Sequence, residues 1–572
     1  MKGHQRFAFL AIVLIALTSF GLYLNSINNS FHFDDLPNIV ENPSIRDLRD
    51  IQSIYKGIVT QTGRFRALTT LSFAVNYHFH RLDVRGYHLF NILLHLFSGI
   101  LVFFISRHLF HLNRPGRASY GSQTFDPEDR RTNVLSLLVA LIFVSHPIQV
   151  NTVTYVVQRN EGLSSFFYLL CFFLFVKGSL SDGIRKAFYW IGTVLTFFCS
   201  ALSKEIGLTL PILLILFDLI FICRDKNALL KRLRVYVPFF LLLALFILFF
   251  LRGGMLRQFL DGAPEWFWTP WENLLTQSNV IVQYVKLLLL PLPGWLNVDH
   301  DFRVYKSLFE YPTFLSFAAI AFLLLFAILR ARKNKLTAFS IFWFLIVLAP
   351  TSSLLPLWDI MVEYRLYLPL FAYALLLSSA VDHLYRYLAL TFSRKSGLTV
   401  VTALSLLVLC FYSVVTLERN RVFKNDVTLW ADALKKSPRK MRVHHNLGRA
   451  YYEMGRVDEA IREGKIALTL MANTERKEIV KYVFNLLGGA YLEKGNLDQA
   501  LTFFRQATEV DANFATSYYN MACVYAIQKE KEKALQHLKK AVSLDPKYKD
   551  KARNDSDLQS LHGDKEFEEL IR

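Results

Sequence analysis

Cysteine is scarce in this chain, with five in 572 residues. Cys171, Cys199, Cys223 and Cys410 fall within or at the ends of apolar runs, and Cys523 stands alone near the C-terminal end. No disulfide framework and no cysteine-based metal spacing can be built from them. Histidine supplies no zinc set either. His78, His80, His88 and His95 are grouped, but their spacing comes without a companion carboxylate motif, so no metal site is expected. Charge is also thin: Asp, Glu, Lys and Arg make up 19% of the residues against 53% hydrophobic ones, and the mean hydropathy is +0.29. Those figures exclude an ordinary soluble enzyme of this size and point to a polytopic membrane protein.

Apolar runs long enough to cross a hydrocarbon core recur from Phe7 to Leu417 and then stop. Residues 1–417 thus read as a membrane domain and 418–572 as a soluble tail. The first run, Phe7–Leu24, follows Lys2 and Arg6 as a signal peptide would. Asn25–Ser30 offers no small-x-small cleavage site after it, so it is read as a retained helix. About 11 spans are expected, including runs at 187–202, 235–251, 336–355 and 366–388. Lys and Arg crowd the loops on the N-terminal side, at Arg107, Arg114, Arg117, Arg130 and Arg131, at Arg224–Arg234, and at Arg330–Lys335. The positive-inside rule then puts the N-terminus in the cytoplasm and the tail outside. The net charge of +19 belongs mostly to those loops, and nucleic-acid binding is not implied.

The tail repeats itself. Aligning Leu447-Gly448, Leu487-Gly488 and Met521-Ala522 brings Tyr451, Tyr491 and Tyr525 into register, then Ala460, Ala500 and Ala534, then Ala467, Ala507 and Ala541. The step from Gly488 to Ala522 is 34 residues, the tetratricopeptide period, and Pro546 closes the last unit. Repeats are expected at about 441–474, 481–514 and 515–548, with a short insertion near 472–477 and capping segments on either side. The fold class is therefore all-α, a helical membrane domain followed by an α-solenoid.

By this topology the polar residues of the membrane domain gather on the outer side. They comprise Asp34 and Asp35; Arg64 and Arg66; Asn76 and His78; His146; Arg159 and Glu161; Lys204 and Glu205; Asn297–Asp301; and Glu363 with Arg365. Ionisable groups at such depth are costly unless they pair or bind something charged. Their common side argues for a shared cavity.

The blocks FHFDDLPNIVENPSI, ALTTLSFAVNYHFHRLDVRGYHLFNILLH, HPIQVNTVTYVVQRNEG and EYRLYLPLFAY, followed by tetratricopeptide repeats, resemble the transmembrane and tetratricopeptide-repeat-containing O-mannosyltransferases and their bacterial relatives. The resemblance covers nearly the whole chain. It implies a GT-C glycosyltransferase that moves a sugar from a polyprenyl-phosphate carrier to Ser or Thr hydroxyls of exported proteins, with no metal or other cofactor. The acidic pair of the first outer loop supplies the base in that family, which carries over to Asp34, with Asp35 orienting it. Two neighbours in an extended stretch would face opposite ways. Glu161 becomes the second carboxylate, for acceptor or sugar. Arg66, Arg159, Lys204, with Glu205 beside it, and Arg365 become the candidates for the carrier phosphate, Arg365 first among them. The repeat groove would hold the acceptor polypeptide. Compact loops and a short N-terminus suggest a bacterial inner membrane, with the endoplasmic reticulum as the alternative. The chain departs from the family pattern at Arg66-Ala67-Leu68, where a proline is expected, and at Val150-Asn151, where a carboxylate is missing.

Two other classes fit parts of the pattern. A membrane-anchored scaffold without activity would have no use for the outward charges, and a lipid-sugar transporter would place charges at midplane breaks in its helices.

Overall fold

The computed structural model describes residues 3–54, 66–113, 130–223, 226–252, 268–471 and 479–572. Arg64, Arg114, Arg117, Arg224 and the expected insertion at 472–477 lie outside them. Helices dominate and no strand occurs among the described residues. The chain divides into two compact bodies, one of residues 1–298 and 302–425, the other of residues 426–572 with 299–301.

Among the described residues of the first body, six helices are long and apolar enough to cross a membrane: Gln5–Ser26, Val84–Leu112, Val156–Ser179, Glu205–Ile222, Thr313–Arg330 and Arg394–Val422. A seventh candidate is the pair Arg130–Ser145 and Pro147–Val153, bent by 46°. Its cause is local. Pro147 has no N–H to give and holds His146 extended (φ −69°, ψ 128°), so the His146 ring takes over as a cap and accepts the Ile148 N–H through Nδ1 at 3.2 Å. With Nδ1 accepting, Nε2 must carry the proton, and it donates to the Leu288 carbonyl at 3.1 Å.

Among the described residues, length and apolarity thus give six or seven spans, and the expected count of about 11 is not confirmed. The four runs that fall short are mostly helical all the same, overlapping Gly183–Ser203, Lys226–Arg252, Lys335–Leu348 and Leu370–Thr391, with 349–355 and 366–369 outside these helices. Lys335–Leu348 is too short. Gly183–Ser203 opens on Arg185 and Lys186, and Leu370–Thr391 carries Asp382 and Arg386. The sequence reading also passed over the helix Pro270–Leu289, whose capping box at Thr269 and Glu272 fixes its start.

In the second body each repeat is a pair of antiparallel helices: Met441–Glu453 with Val457–Thr469, Ile479–Glu493 with Leu497–Val510, and Ala515–Ile527 with Lys531–Leu544. The aligned alanines explain the pairing. Ala460, Ala467, Ala500, Ala507, Ala534 and Ala541 are all fully buried, as close helix crossings require. Gly488 shows how close: a Cβ there would stand 2.4 Å from the Phe504 ring. Residues 299–301 pack with this body, where Asp299 accepts from Arg442 Nε at 2.6 Å and from the Lys440 ammonium. Burial pushes the Asp299 carboxyl up, and those two cations outweigh it and hold it well below the usual range.

Candidate active site

The acidic pair sits in a tight turn rather than the extended stretch expected. Phe33 adopts φ 39°, a left-handed conformation that is costly for an aromatic residue and persists only where the surroundings impose it. Asp35 supplies the constraint. Its Oδ2 accepts the His32 N–H at 2.9 Å, its Oδ1 accepts the Val157 N–H at 2.6 Å, and its own N–H donates to the His32 carbonyl at 2.7 Å. Asp35 is fully buried. Burial pushes its carboxyl up to about 7, against the pull of the two backbone N–H donors. Asp34 is only half-buried. Its N–H donates to the Tyr155 hydroxyl at 3.0 Å. Burial, and then the Asp34 and Asp35 carboxylates beside it, raise the Tyr155 pKa far above its ordinary value.

The cations separate into two kinds. Arg159, fully buried at the start of the Arg159–Ser179 helix, spends its donors on Asn91 Oδ1 (2.8 Å), the Ser72 carbonyl (3.2 Å) and the Tyr87 carbonyl (3.1 Å), with the Phe73 and Phe90 rings against its guanidinium. Arg365 donates to the carbonyls of Asp359 (2.7 Å), Ile360 (3.1 Å) and Thr351 (3.4 Å). Both guanidiniums brace backbone. The Arg365 contacts fasten the 351–360 connection.

Lys204 belongs to the second kind. It caps the C-terminal end of Gly183–Ser203 in an extended conformation, in a turn so tight that a Cβ on Gly207 would meet the Ala201 nitrogen at 2.6 Å. Its ammonium reaches Glu161 Oε2 at 2.6 Å and lies 4.6 Å from the centre of the Tyr364 ring. Burial lowers the Lys204 pKa; Glu161 works against that, and Arg66 adds to it as a neighbouring positive charge. Glu205, next in the chain, is exposed and adds a weaker negative field.

A further carboxylate, Glu363, is fully buried. It accepts the Asn297 N–H and lies 3.6 Å from Arg419, with the Asn151 amide at 3.5 Å. Asn151 is the position where the family pattern puts an acid. Here it meets an acid supplied by another segment. Arg419 is missing from the sequence reading, which ended the last span at Leu417, although a basic residue one turn past a span is a signal that could have found it.

One stretch, Tyr155–Glu161, joins these groups. Tyr155 faces Asp34, the Val157 N–H holds Asp35, Arg159 braces two neighbouring helices and Glu161 meets Lys204. From the extended Tyr155 through the helical residues that follow, six steps put the two ends roughly 10 Å apart along the backbone. Chemically, the arrangement offers a half-exposed carboxylate at one end and a cation pair with a carboxylate at the other. Asp34, Asp35, Glu161, Lys204 and Arg66 are brought together around this stretch. Arg159 donates to the neighbouring helices and Arg365 to the 351–360 connection.

Fold and site define an integral membrane protein, all-helical, with a tetratricopeptide-repeat body. The tetratricopeptide repeat family matches residues 439–513 and 515–548. Over 94% of its length the chain is 24% identical to the protein O-mannosyl-transferase Tmtc3 of Drosophila melanogaster, and over 95% it is 23% identical to mouse TMTC3. Human TMTC4 is 26% identical over 79% of the chain. The family resemblance read from the sequence is the one these relatives carry. The chain spans 64%, 61% and 65% of their lengths, less than two thirds in each case. They are animal proteins, and the bacterial part of the expectation gains no support from them.

Proposed function

We propose that the chain transfers a sugar, mannose by the names of its relatives, from a polyprenyl-phosphate carrier to Ser or Thr hydroxyls of proteins outside the cytoplasm. The observation that carries this reading is the Tyr155–Glu161 stretch, with Asp34 at one end and the Lys204–Glu161 pair at the other. Asp34 removes the proton as the acceptor hydroxyl oxygen attacks the sugar's C1. The bond from C1 to the phosphate oxygen breaks, and the phosphate keeps that electron pair. A positioned base contributes about 10²–10⁴-fold, and cations beside the leaving oxygen stabilise the charge it gains. Asp35 has both oxygens committed to backbone N–H groups. It holds the turn. The repeat body holds the acceptor chain, as such solenoids do with extended peptides.

Asp34→Asn keeps the size and removes the basic oxygen, so purified protein should lose transfer by about 10²–10⁴-fold while still binding the carrier lipid. Wild-type rates in that variant would end the base assignment. Deleting residues 426–572 should weaken transfer to a folded protein far more than to a short peptide. Equal losses on both acceptors would remove the recruitment role.

A further inference from the structure

A cavity of about 460 Å³ lies at the Thr313 end of the Thr313–Arg330 helix, lined by none of the residues assigned to the transfer reaction. The Pro270–Leu289 helix supplies Asn279 and Gln283, the connection before Thr313 supplies Phe302 and Tyr305, and Thr313–Arg330 supplies Leu315 and Ala319. None of the described residues that line it is charged, and Arg303 and Glu310 on the same connection pair with each other at 3.0 Å. A phosphate or carboxylate would lie there without a cation, at a high desolvation cost. Asn279 is 5% exposed, and only half of its amide is committed. Nδ2 donates to Thr313 Oγ1 at 2.9 Å, while Oδ1 is buried with no hydrogen-bond partner among the described residues. A buried acceptor left unmade costs the full desolvation of the group, so Oδ1 calls for a donor. Thr313–Arg330 is long and apolar enough to cross a membrane and only 17% of it is buried. The hydrocarbon beside such a helix holds no water to give that donor.

We infer that this cavity binds a neutral lipid alcohol, with its hydroxyl donating to Asn279 Oδ1 and its hydrocarbon body against Phe302, Tyr305 and Leu315. Each property of the occupant answers one of the cavity. It is neutral because no charge lines the walls, it carries a donor because the vacant atom is an acceptor, and it is otherwise apolar because rings and aliphatic side chains form much of the lining. It comes from the bilayer because the helix on that side is largely uncovered. The volume lies within the range of about 300–1,000 Å³ typical of small-ligand sites. A carrier phosphate fails for want of a cation, and a peptide brings several amide groups to a single vacant acceptor. The site is separate from the sugar-transfer residues and stands or falls without them.

The test uses the full chain in phosphatidylcholine nanodiscs and three probes: a hexadecanol with a photoactivatable diazirine in its chain, the methyl ether of that molecule, and its phosphate ester. The ether keeps the chain and the oxygen and loses the donor. After illumination, peptides covering 270–330 should carry the alcohol about three- to tenfold more than the ether, and the phosphate no more than the ether. Asn279→Leu should bring the alcohol down to the level of the ether. Ala319→Phe, at an exposed position of the Thr313–Arg330 helix, fills the cavity and should remove labelling by both. Equal labelling by alcohol and ether in the wild type, or alcohol labelling that survives Asn279→Leu, would overturn the hydroxyl contact. Labelling of 270–330 that Ala319→Phe leaves unchanged would overturn the cavity as its place. Stronger labelling by the phosphate than by the alcohol would make this an anionic-lipid site and end the proposal.

Discussion

The two bodies spend polar residues in opposite ways. In the membrane body the charges that matter are buried and matched to partners far away in sequence: Glu161 with Lys204, Glu363 with Arg419, and Arg159 with carbonyls of two other helices. In the repeat body the buried positions are mostly small or apolar. Ion pairs such as Lys494–Asp458 and Lys539–Glu566 stay near the surface, and His444–Glu463 and the buried Asp299 with Lys440 and Arg442 are inward exceptions. A bilayer gives an unpaired charge no water to fall back on, so the first body must satisfy its charges internally. A solenoid packs each repeat only on its neighbours, so spacing and side-chain size do the work there.

The sharpest way to break this contrast is at Arg159. Removing it orphans Asn91 Oδ1 and strips the helical Tyr87 and Ser72 carbonyls of their second partner in one step, so Arg159→Met should cost about 2–5 kcal/mol. It should be seen as a loss of folded protein in detergent. Arg159→Lys should fail nearly as badly, because one ammonium cannot span three acceptors set for a planar fork. A Lys variant that folds and melts like wild type would show that charge, not geometry, is what the site requires.

The matching test in the repeat body is a change of volume. Gly488→Val pushes a branched side chain into the Phe504 ring, and overpacking of this kind costs about 1–3 kcal/mol. Hydrogen exchange should rise across Ile479–Glu493 and Leu497–Val510 together, since the two helices share the crossing. Unchanged protection there would mean that the aligned small residues do not set the helix pairing.

The same contrast explains what could be read in advance. The period of the tail and its buried alanines were legible because a repeat writes its contacts at fixed intervals. Apolar runs showed which segments are helical, and the polar residues near their ends stood out as a set. Their partners were not legible. Whether Lys204 meets Glu161, or Arg365 meets carbonyls of its own loop, depends on the Gly207 turn and on how each helix is rotated, and neither leaves a mark in local composition. The turn at Phe33 was missed for a related reason. A left-handed aromatic residue is imposed by Asp35 and by Val157, more than a hundred positions away, and a short window reads such a stretch as extended.

The smallest expected effect tests how strictly the repeat body keeps its own rule. Seven residues after Gly448 and Gly488 stand Gly455 and Gly495, both left-handed, with φ 71° and 75°. Each closes its helix as the motif requires, with the next residue's N–H reaching back to the aligned tyrosine carbonyl at 2.9 Å. The third repeat makes the same closure, Glu530 N–H to the Tyr525 carbonyl at 2.8 Å, but with Lys529 at φ 62°. A side chain in that region costs about 1–2 kcal/mol, and glycine gives part of this back through the freedom it adds to the unfolded chain. Lys529 is exposed, so Lys529→Gly removes strain and little packing. Amides near the Ala515–Ile527 and Lys531–Leu544 junction should become about two- to fivefold better protected, the equivalent of about 0.5–1 kcal/mol in local opening. If protection falls instead, the lysine stem contributes more at this junction than the backbone strain takes away, and side-chain contact outweighs backbone register in the last repeat.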